Sequence, residues 1–486
     1  MTEPKTANAS QTRAAPGAPV PLVVDLDGTL SRTDTLHEAL LSITATQPAL
    51  LMKMPTWLSE GRAAFKSHVA DNKVMAGNML PIDHHVVTEI EAARAQDRPV
   101  YLVSAADQRQ VDSVADALGL FDEAVGSHGG TNLRGDAKAD YLTLRFGVGG
   151  FDYIGDAGAD LAIWKNARQA ITVGVSSRVL HQLKSQHDNV RELGSERRQT
   201  GALLRAIRPH QWSKNLLVFL PMAAAHDFTA TPQVLLAFIA FCMMASSAYL
   251  LNDLLDLEAD RAHPRKRKRP LASGAATPIQ GLLATGTLIV AATAIALVMG
   301  NPMFLGILWL YLVSTLAYSF WLKRKTIIDI LTLAALYTIR IIAGGVAASI
   351  VLSPWMLGFS VFLFLALAAV KRQTELVDSI GTGRDLAGRG YLAEDLPIVR
   401  GIALSAINGA IVVLALYISS DEIQALYDTP ALIWGVCPLL LYWLYRMVMK
   451  SHRGEMDDDP IVFAMTDRIS LAISLAAMAL VFAASA

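Results

Sequence analysis

Four acids and an asparagine stand within nine residues at the end of a long apolar run. Asn252-Asp253-Leu254-Leu255-Asp256-Leu257-Glu258-Ala259-Asp260 follows the apolar stretch 234–251 and leads into Arg261-Ala262-His263-Pro264-Arg265-Lys266-Arg267-Lys268-Arg269-Pro270. Carboxylates at the end of a membrane-length segment are costly to place and therefore mark function. On a helix, Asn252, Asp256 and Asp260 recur at i, i+4 and i+8 and share one face. Together with Asp253, such a row suits Mg²⁺, which takes a few carboxylates plus the oxygens of a substrate phosphate. The basic run beside it suits the rest of a diphosphate. A solvated loop with a topological excess of cations explains Arg265 to Arg269 alone, but not the acids.

A second set of chemistry-bearing residues lies near the N-terminus. Leu22-Val23-Val24 reads as a buried strand and runs into Asp25-Leu26-Asp27-Gly28-Thr29. Two acids one residue apart at a strand end offer a nucleophile (Asp25) and an acid/base partner (Asp27) beside a tight turn. Pro99 to Ser104 reads as another strand, with a hydroxyl at Ser104 placed to hold a phosphate oxygen. Lys138 offers a positive charge, with Lys165 as the alternative. Phe151 to Ile154 then leads into Gly155-Asp156-Ala157-Gly158-Ala159-Asp160, a strand ending in acids.

The elements that must position these groups divide the chain. Of 486 residues, 53% are hydrophobic and 17% charged, too apolar for an ordinary soluble protein, but residues 1 to about 200 have soluble composition. In that part, strands alternating with helical patterns predict a doubly wound α/β sheet, whose ligands sit at the C-terminal ends of the strands. Beyond it, nine apolar runs of bilayer length are expected near 211–227, 234–252, 278–299, 303–321, 327–348, 355–373, 399–419, 431–449 and 467–485, an all-α transmembrane bundle. Connections 253–277, 322–326, 371–400 and 446–468 carry eighteen lysines and arginines, and the alternate connections carry none. That asymmetry predicts the acidic loop and the N-terminal domain on the cytoplasmic side. The expected organisation is a disordered tail 1–19, an α/β domain 20–195, a polar linker 196–205 and a membrane domain 206–486. Cys242 and Cys437 lack ligand spacing, so neither a disulfide nor a zinc site is expected, and no nucleic-acid partner is expected.

The ordered set Asp25-Leu26-Asp27-Gly28-Thr29, Ser104, Lys138 and Gly155-Asp156…Asp160 resembles the haloacid dehalogenase superfamily. The resemblance implies an aspartyl-phosphate on Asp25, acid/base work by Asp27, phosphoryl binding by Ser104 and Lys138, and Mg²⁺ held by Asp25, Asp156 and Asp160. It also implies a helical cap within 34–98. Asn252 to Asp260 with the Arg-Pro-Leu-Ala-Ser-Gly stretch ending at Gly274 resembles the first aspartate-rich motif of the UbiA-type intramembrane transferases. Arg208-Pro209-His210-Gln211-Trp212-Ser213-Lys214-Asn215, Tyr318 to Arg324 and Arg340 to Gly345 are similar to the branch containing decaprenyl-phosphate phosphoribosyltransferase.

Aromatic-prenylating members carry a second acid-rich motif, whereas the corresponding loop here reads Lys371-Arg372-Gln373-Thr374-Glu375-Leu376-Val377-Asp378. A leading Lys-Arg pair suits a lipid monophosphate better than a second metal. The resemblance thus implies a bacterial inner-membrane transferase with Mg²⁺-bound phosphoribosyl diphosphate as donor and polyprenyl phosphate, entering from the bilayer, as acceptor. Asn252, Asp253, Asp256 and Asp260 would hold the metal. Lys214, Asn215, Arg269, Lys323, Arg340, Lys371 and Arg372 are the candidate substrate contacts. Arg340, inside an apolar run, is expected to meet a phosphate or carboxylate, and Asp329 is read evenly as helix cap or chemistry. Glu455 to Asp459 reads as an acidic loop. Two alternatives stay open: a prenyl diphosphate-dependent aromatic or haem prenyltransferase with an independent phosphatase, and a transporter or lipid-binding protein with a regulatory phosphatase.

Overall fold

The computed structural model describes residues 19–128, 131–194, 201–382, 389–456 and 460–485. The tail before 19, part of the linker and the acids 457–459 lie outside the described residues. The chain forms two compact units, Met1–Ile207 with Tyr249–Thr285, and Arg208–Ala248 with Gly286–Ala486. The aspartate-rich loop thus packs with the N-terminal unit, although the helix that delivers it begins in the other.

In the first unit a six-stranded parallel sheet has the order β3-β2-β1-β4-β5-β6. The strands are β1 (Leu22–Val24), β2 (Val100–Asp107), β3 (Glu123–Ser127), β4 (Asp152–Gly155), β5 (Gln169–Val173) and β6 (Val190–Leu193). Strands such as Leu22-Val23-Val24 are apolar on both faces because helices cover both sides of a parallel sheet. Val24 pairs with Leu102 on one side and Ile154 on the other. This register brings the residues that follow, Asp25, Ser104 and Asp156, to one edge, beside β1 where the strand order reverses. The expected doubly wound domain is present. Between β1 and β2 the chain inserts helices that include α1 (Thr35–Thr46) and α2 (Arg62–Asn72), in the stretch expected to hold the cap. Asp34 caps α1 by accepting from the backbone N–H groups of Leu36 and His37.

Seven helices are long and apolar enough to cross a membrane among the described residues: Thr231–Leu255, Pro278–Val298, Pro302–Phe320, Ile328–Ala348, Pro354–Gly381, Ala393–Ile418 and Pro430–His452. The count of nine is therefore corrected. The first expected span is instead a 3₁₀ helix, Pro209–Phe219, followed by the short helix Leu220–Ala224. Pro209, Pro221 and the polar stretch Gln211 to Asn215 interrupt it. The last is Arg468–Ala484, of 17 residues, which at ~1.5 Å per residue falls short of a ~30 Å hydrocarbon core. In the second unit, Gly344 is needed for packing, since a Cβ there would lie 2.0 Å from the carbonyl oxygen of Val218.

Candidate active sites

The cavity of the N-terminal unit, about 540 Å³, is lined by the acids at the strand ends and by α1 and α2. Asp25 is anchored by its own N–H to the carbonyl of Ile154 (3.1 Å). Gly28, at φ 80°, turns the chain back sharply so that Leu30 and Ser31 N–H groups bond the carbonyls of Asp25 and Leu26. Lys138, on α3 (Asp136–Phe146), is buried and donates to Asp25 Oδ1 (2.7 Å) and to the Tyr153 hydroxyl (3.1 Å). Lys165, the alternative, is exposed. Ser104, also buried, lines the same cavity and accepts from the N–H of Ala106 (3.1 Å).

Asp25, Asp156 and Asp160 present carboxylate oxygens within 4.8 Å of one another. Three carboxylates so close repel unless a cation joins them, so the donor set fits Mg²⁺. Asp160 is partly committed to the loop. Its Oδ2 accepts from the backbone N–H groups of Asp156 (3.2 Å) and Ala157 (3.0 Å), and its Oδ1 from the Tyr153 hydroxyl (3.0 Å). Burial, backed by the charge of Asp25, raises its pKa. Burial also pushes the Asp27 carboxyl up to about 8, helped by the charges of Asp34 and Asp25 and opposed by the N–H of Thr35 (2.8 Å).

Sequence reasoning missed the cations opposite these acids. Arg62, Lys66 and Arg134 line the cavity, and none has a carboxylate partner among the described residues. Lys66 donates to the carbonyl of Ala105 (2.5 Å) and to Asn132 Oδ1 (3.1 Å), and burial lowers its pKa.

In the aspartate-rich loop, the long helix α4 (Thr231–Leu255) breaks at Asp256, and α5 (Leu257–Ala262) follows. The i,i+4 backbone bonds carry through the break, from Asp256 N–H to Asn252 (2.9 Å) and from Asp260 N–H to Asp256 (2.8 Å). Asn252 Nδ2 donates to Asp256 Oδ2 (3.1 Å). Asp253 and Asp260 are gathered instead by Arg269, whose guanidinium lies 3.1 Å from one and 2.6 Å from the other. Arg269 was expected on a substrate phosphate; it is the counter-ion of the two acids, standing where a metal's charge would serve. The four expected metal ligands thus form two pairs, and among the described residues the acids that bring three carboxylates within 4.8 Å of one another are Asp25, Asp156 and Asp160.

In the membrane unit Lys214 and Asn215 are buried, while Lys323 and Lys371 are half-buried. Among the described residues Arg340 has no carboxylate partner: it donates to Asn215 Oδ1 (2.9 Å), the Tyr311 hydroxyl (2.9 Å) and the carbonyl of Leu336, and lies over the Tyr311 ring. Arg372, expected at a lipid phosphate, is fully buried and paired with Asp329 (2.7 Å) and Glu375. Arg389 completes the cluster at 3.0 Å from Asp329. Asp329 does not cap its helix and is the buried counter-ion of Arg372 and Arg389; Arg389 has its partners 14 and 60 residues away in the chain. Arg372→Ala is expected to destabilise the protein by about 3–5 kcal/mol, since it strands a buried charge; thermal unfolding in detergent measures this. An unchanged Tm contradicts it.

Apolar helices of membrane-spanning length and a parallel α/β domain with acids at its strand ends define an integral-membrane protein with a fused α/β domain. The family model described as the UbiA prenyltransferase family matches residues 216–417. A protein of Sinorhizobium fredii (strain NBRC 101917 / NGR234), uncharacterized protein y4nM, is 39% identical over 459 residues, 93% of this chain and 88% of its own length. Nodulation protein NoeC of Azorhizobium caulinodans is 38% identical over 285 residues, 57% of this chain and 91% of its own. Decaprenyl-phosphate phosphoribosyltransferase of Mycolicibacterium smegmatis is 41% identical over 205 residues, 39% of this chain and 62% of its own. The C-terminal part of the chain therefore carries a domain of the UbiA prenyltransferase family.

Proposed function

We propose that the membrane domain moves a 5-phosphoribosyl group from phosphoribosyl diphosphate to a polyprenyl phosphate, and that the fused phosphatase then removes the 5-phosphate. The observation that carries the donor assignment is the companion loop. There Glu375 is paired with Arg372 and Arg389, which also hold Asp329 of the helix Ile328–Ala348, and this commitment speaks against a second metal site for a prenyl diphosphate. The 41% identity to a decaprenyl-phosphate phosphoribosyltransferase supports the same reading.

The lipid phosphate oxygen forms the new bond to the anomeric carbon as the bond from that carbon to diphosphate breaks. Asn252, Asp253, Asp256 and Asp260 would hold Mg²⁺, which neutralises charge on the leaving diphosphate. Exchange of Arg269 for the metal frees that arginine for phosphate oxygens, with Lys214, Asn215, Lys323 and Arg340 as further candidates. Lys371, rather than the buried Arg372, is the cation we assign to the lipid phosphate. The excess of lysine and arginine in every second connection supports a position for these groups on the cytoplasmic side of the inner membrane.

In the phosphatase, Asp25 attacks the phosphorus as its bond to the ribose oxygen breaks, Lys138 and Ser104 hold phosphoryl oxygens and Asp27 protonates the departing ribose oxygen; Asp27 then takes a proton from the water that attacks the aspartyl-phosphate, which releases inorganic phosphate and restores Asp25. Asp25, Asp156 and Asp160 would hold Mg²⁺ there. The cations Arg62, Lys66 and Arg134 suit a substrate that carries a second phosphate, as the lipid diester does. A tether keeps product near the phosphatase at roughly millimolar effective concentration.

The test is incubation of the purified chain with ribose-labelled phosphoribosyl diphosphate, polyprenyl phosphate and Mg²⁺. Label is expected in the lipid phase and lost with EDTA. Folded protein that yields none, or that labels an aromatic or haem acceptor from prenyl diphosphate instead, overturns the donor assignment.

A further inference from the structure

We propose that Glu38, a residue of the phosphatase insert that belongs to neither acid cluster, is a positioning residue for the aspartate-rich loop of the transferase. The inference rests on the transferase reading above for its kinetic consequence. Its structural basis stands apart from that reading.

Arg261 directly follows Asp260. Its guanidinium is almost fully buried and forms a two-pronged pair with the fully buried Glu38 of α1, with one N–H donating to Oε1 at 2.6 Å. The Nε of the same arginine donates to the carbonyl of Ala272 (2.9 Å), so one side chain ties both ends of the loop to α1. The Thr33 hydroxyl also donates to Oε1 of Glu38. Three residues earlier on the same helix, the N–H of Thr35 bonds Asp27 Oδ1 (2.8 Å). One helix therefore carries, a turn apart, the donor to the phosphatase's acid/base and the carboxylate that anchors the transferase loop.

Two further contacts hold the loop to the same insert. Lys73, which lines the phosphatase cavity, pairs with Glu258 of α5 at 2.8 Å. Arg32 donates to the carbonyl of Ser273 (3.2 Å). Beside it Gly274, at φ 74°, lies so close that a Cβ would come within 2.9 Å of Arg32 and 3.0 Å of Pro81. The partners stand 223, 185 and 241 residues apart in the chain, so only docking of the loop on the phosphatase insert makes them meet. A two-pronged arginine–carboxylate pair shielded from water fixes direction as well as distance. The carboxylates next to it need such control, because a misplacement of about 1 Å can slow a reaction by about 10²-fold.

The experiment uses the full chain in nanodiscs and compares Glu38→Gln, Arg261→Gln and the double variant. In the single variants the Mg²⁺ concentration for half-maximal transfer is expected to rise by about tenfold. Amide exchange in 256–276 is expected to accelerate by at least about tenfold. Hydrolysis of p-nitrophenyl phosphate is expected to stay within about threefold, because Glu38 touches neither the nucleophile nor the phosphoryl-binding groups. The double variant is expected to lose less than the sum of the singles. Should the single variants not fold, Glu258→Gln, at a more exposed pair, is expected to raise loop exchange about threefold with the rest of the unit unchanged. Loop exchange identical to the parent's, or acceleration spread evenly over the whole unit with equal loss of both activities, overturns the proposal. If the parent protein transfers nothing from phosphoribosyl diphosphate, the functional reading fails, and the exchange data still decide the role of Glu38.

Discussion

Asp25→Asn is expected to leave ribosyl transfer intact and to stop the second reaction, so that a lipid still carrying its 5-phosphate accumulates. The variant keeps the size of the side chain and its hydrogen bond to Lys138 (2.7 Å in the parent), but an amide is no nucleophile toward phosphorus. Loss of a covalent nucleophile typically lowers kcat by about 10⁴-fold or more. Mass spectrometry of lipids from cells producing the variant reads the outcome directly: a species heavier by one phosphate replaces the dephosphorylated product. If both lipids appear in parental proportions while p-nitrophenyl phosphate hydrolysis is gone, the two domains serve different substrates. If hydrolysis persists, Asp25 is not the nucleophile.

Asp256→Ala carries the largest effect expected in the membrane domain. Asp256 sits at the break between α4 and α5 and pairs with Asn252 Nδ2 (3.1 Å). It is half-buried, so its removal is a mild structural change. Loss of a group that stabilises charge on the leaving diphosphate is expected to slow transfer by at least about 10³-fold. Phosphatase activity in the same chain should stay within twofold, which reports that the protein is folded. Transfer of label at more than a tenth of the parent rate would rule out a metal role for this residue.

Much of the fold was legible because its signals are local. Buried parallel strands are apolar, as in Leu22-Val23-Val24 and Val100 to Val103; Asp25 marks the end of the first, whereas the second runs on past Ser104 to Asp107. The apolar spans were legible for the same reason, since a bilayer demands about 20 apolar residues in a row. The first expected span failed where hydropathy ignores backbone geometry: Pro209 and Pro221 bracket a 3₁₀ turn that continuous apolar content alone cannot reveal. The last failed by length, at 17 residues.

The residue types of the two acid sets and their order along the chain were determined by the sequence alone, because strand ends, helix periodicity and loop charge are written within a few neighbours. The partners of the charges were decided only in three dimensions. Lys138 rather than Lys165 faces Asp25 across 113 residues, Arg269 stands between Asp253 and Asp260, and Arg372 is committed to Asp329 and Glu375. The anchoring of Arg261 on Glu38, 223 residues away, has no local trace at all. The physical reason is desolvation. Any arginine can pair with any carboxylate in water at little gain, and only the packing that strips water from both selects which pair must form.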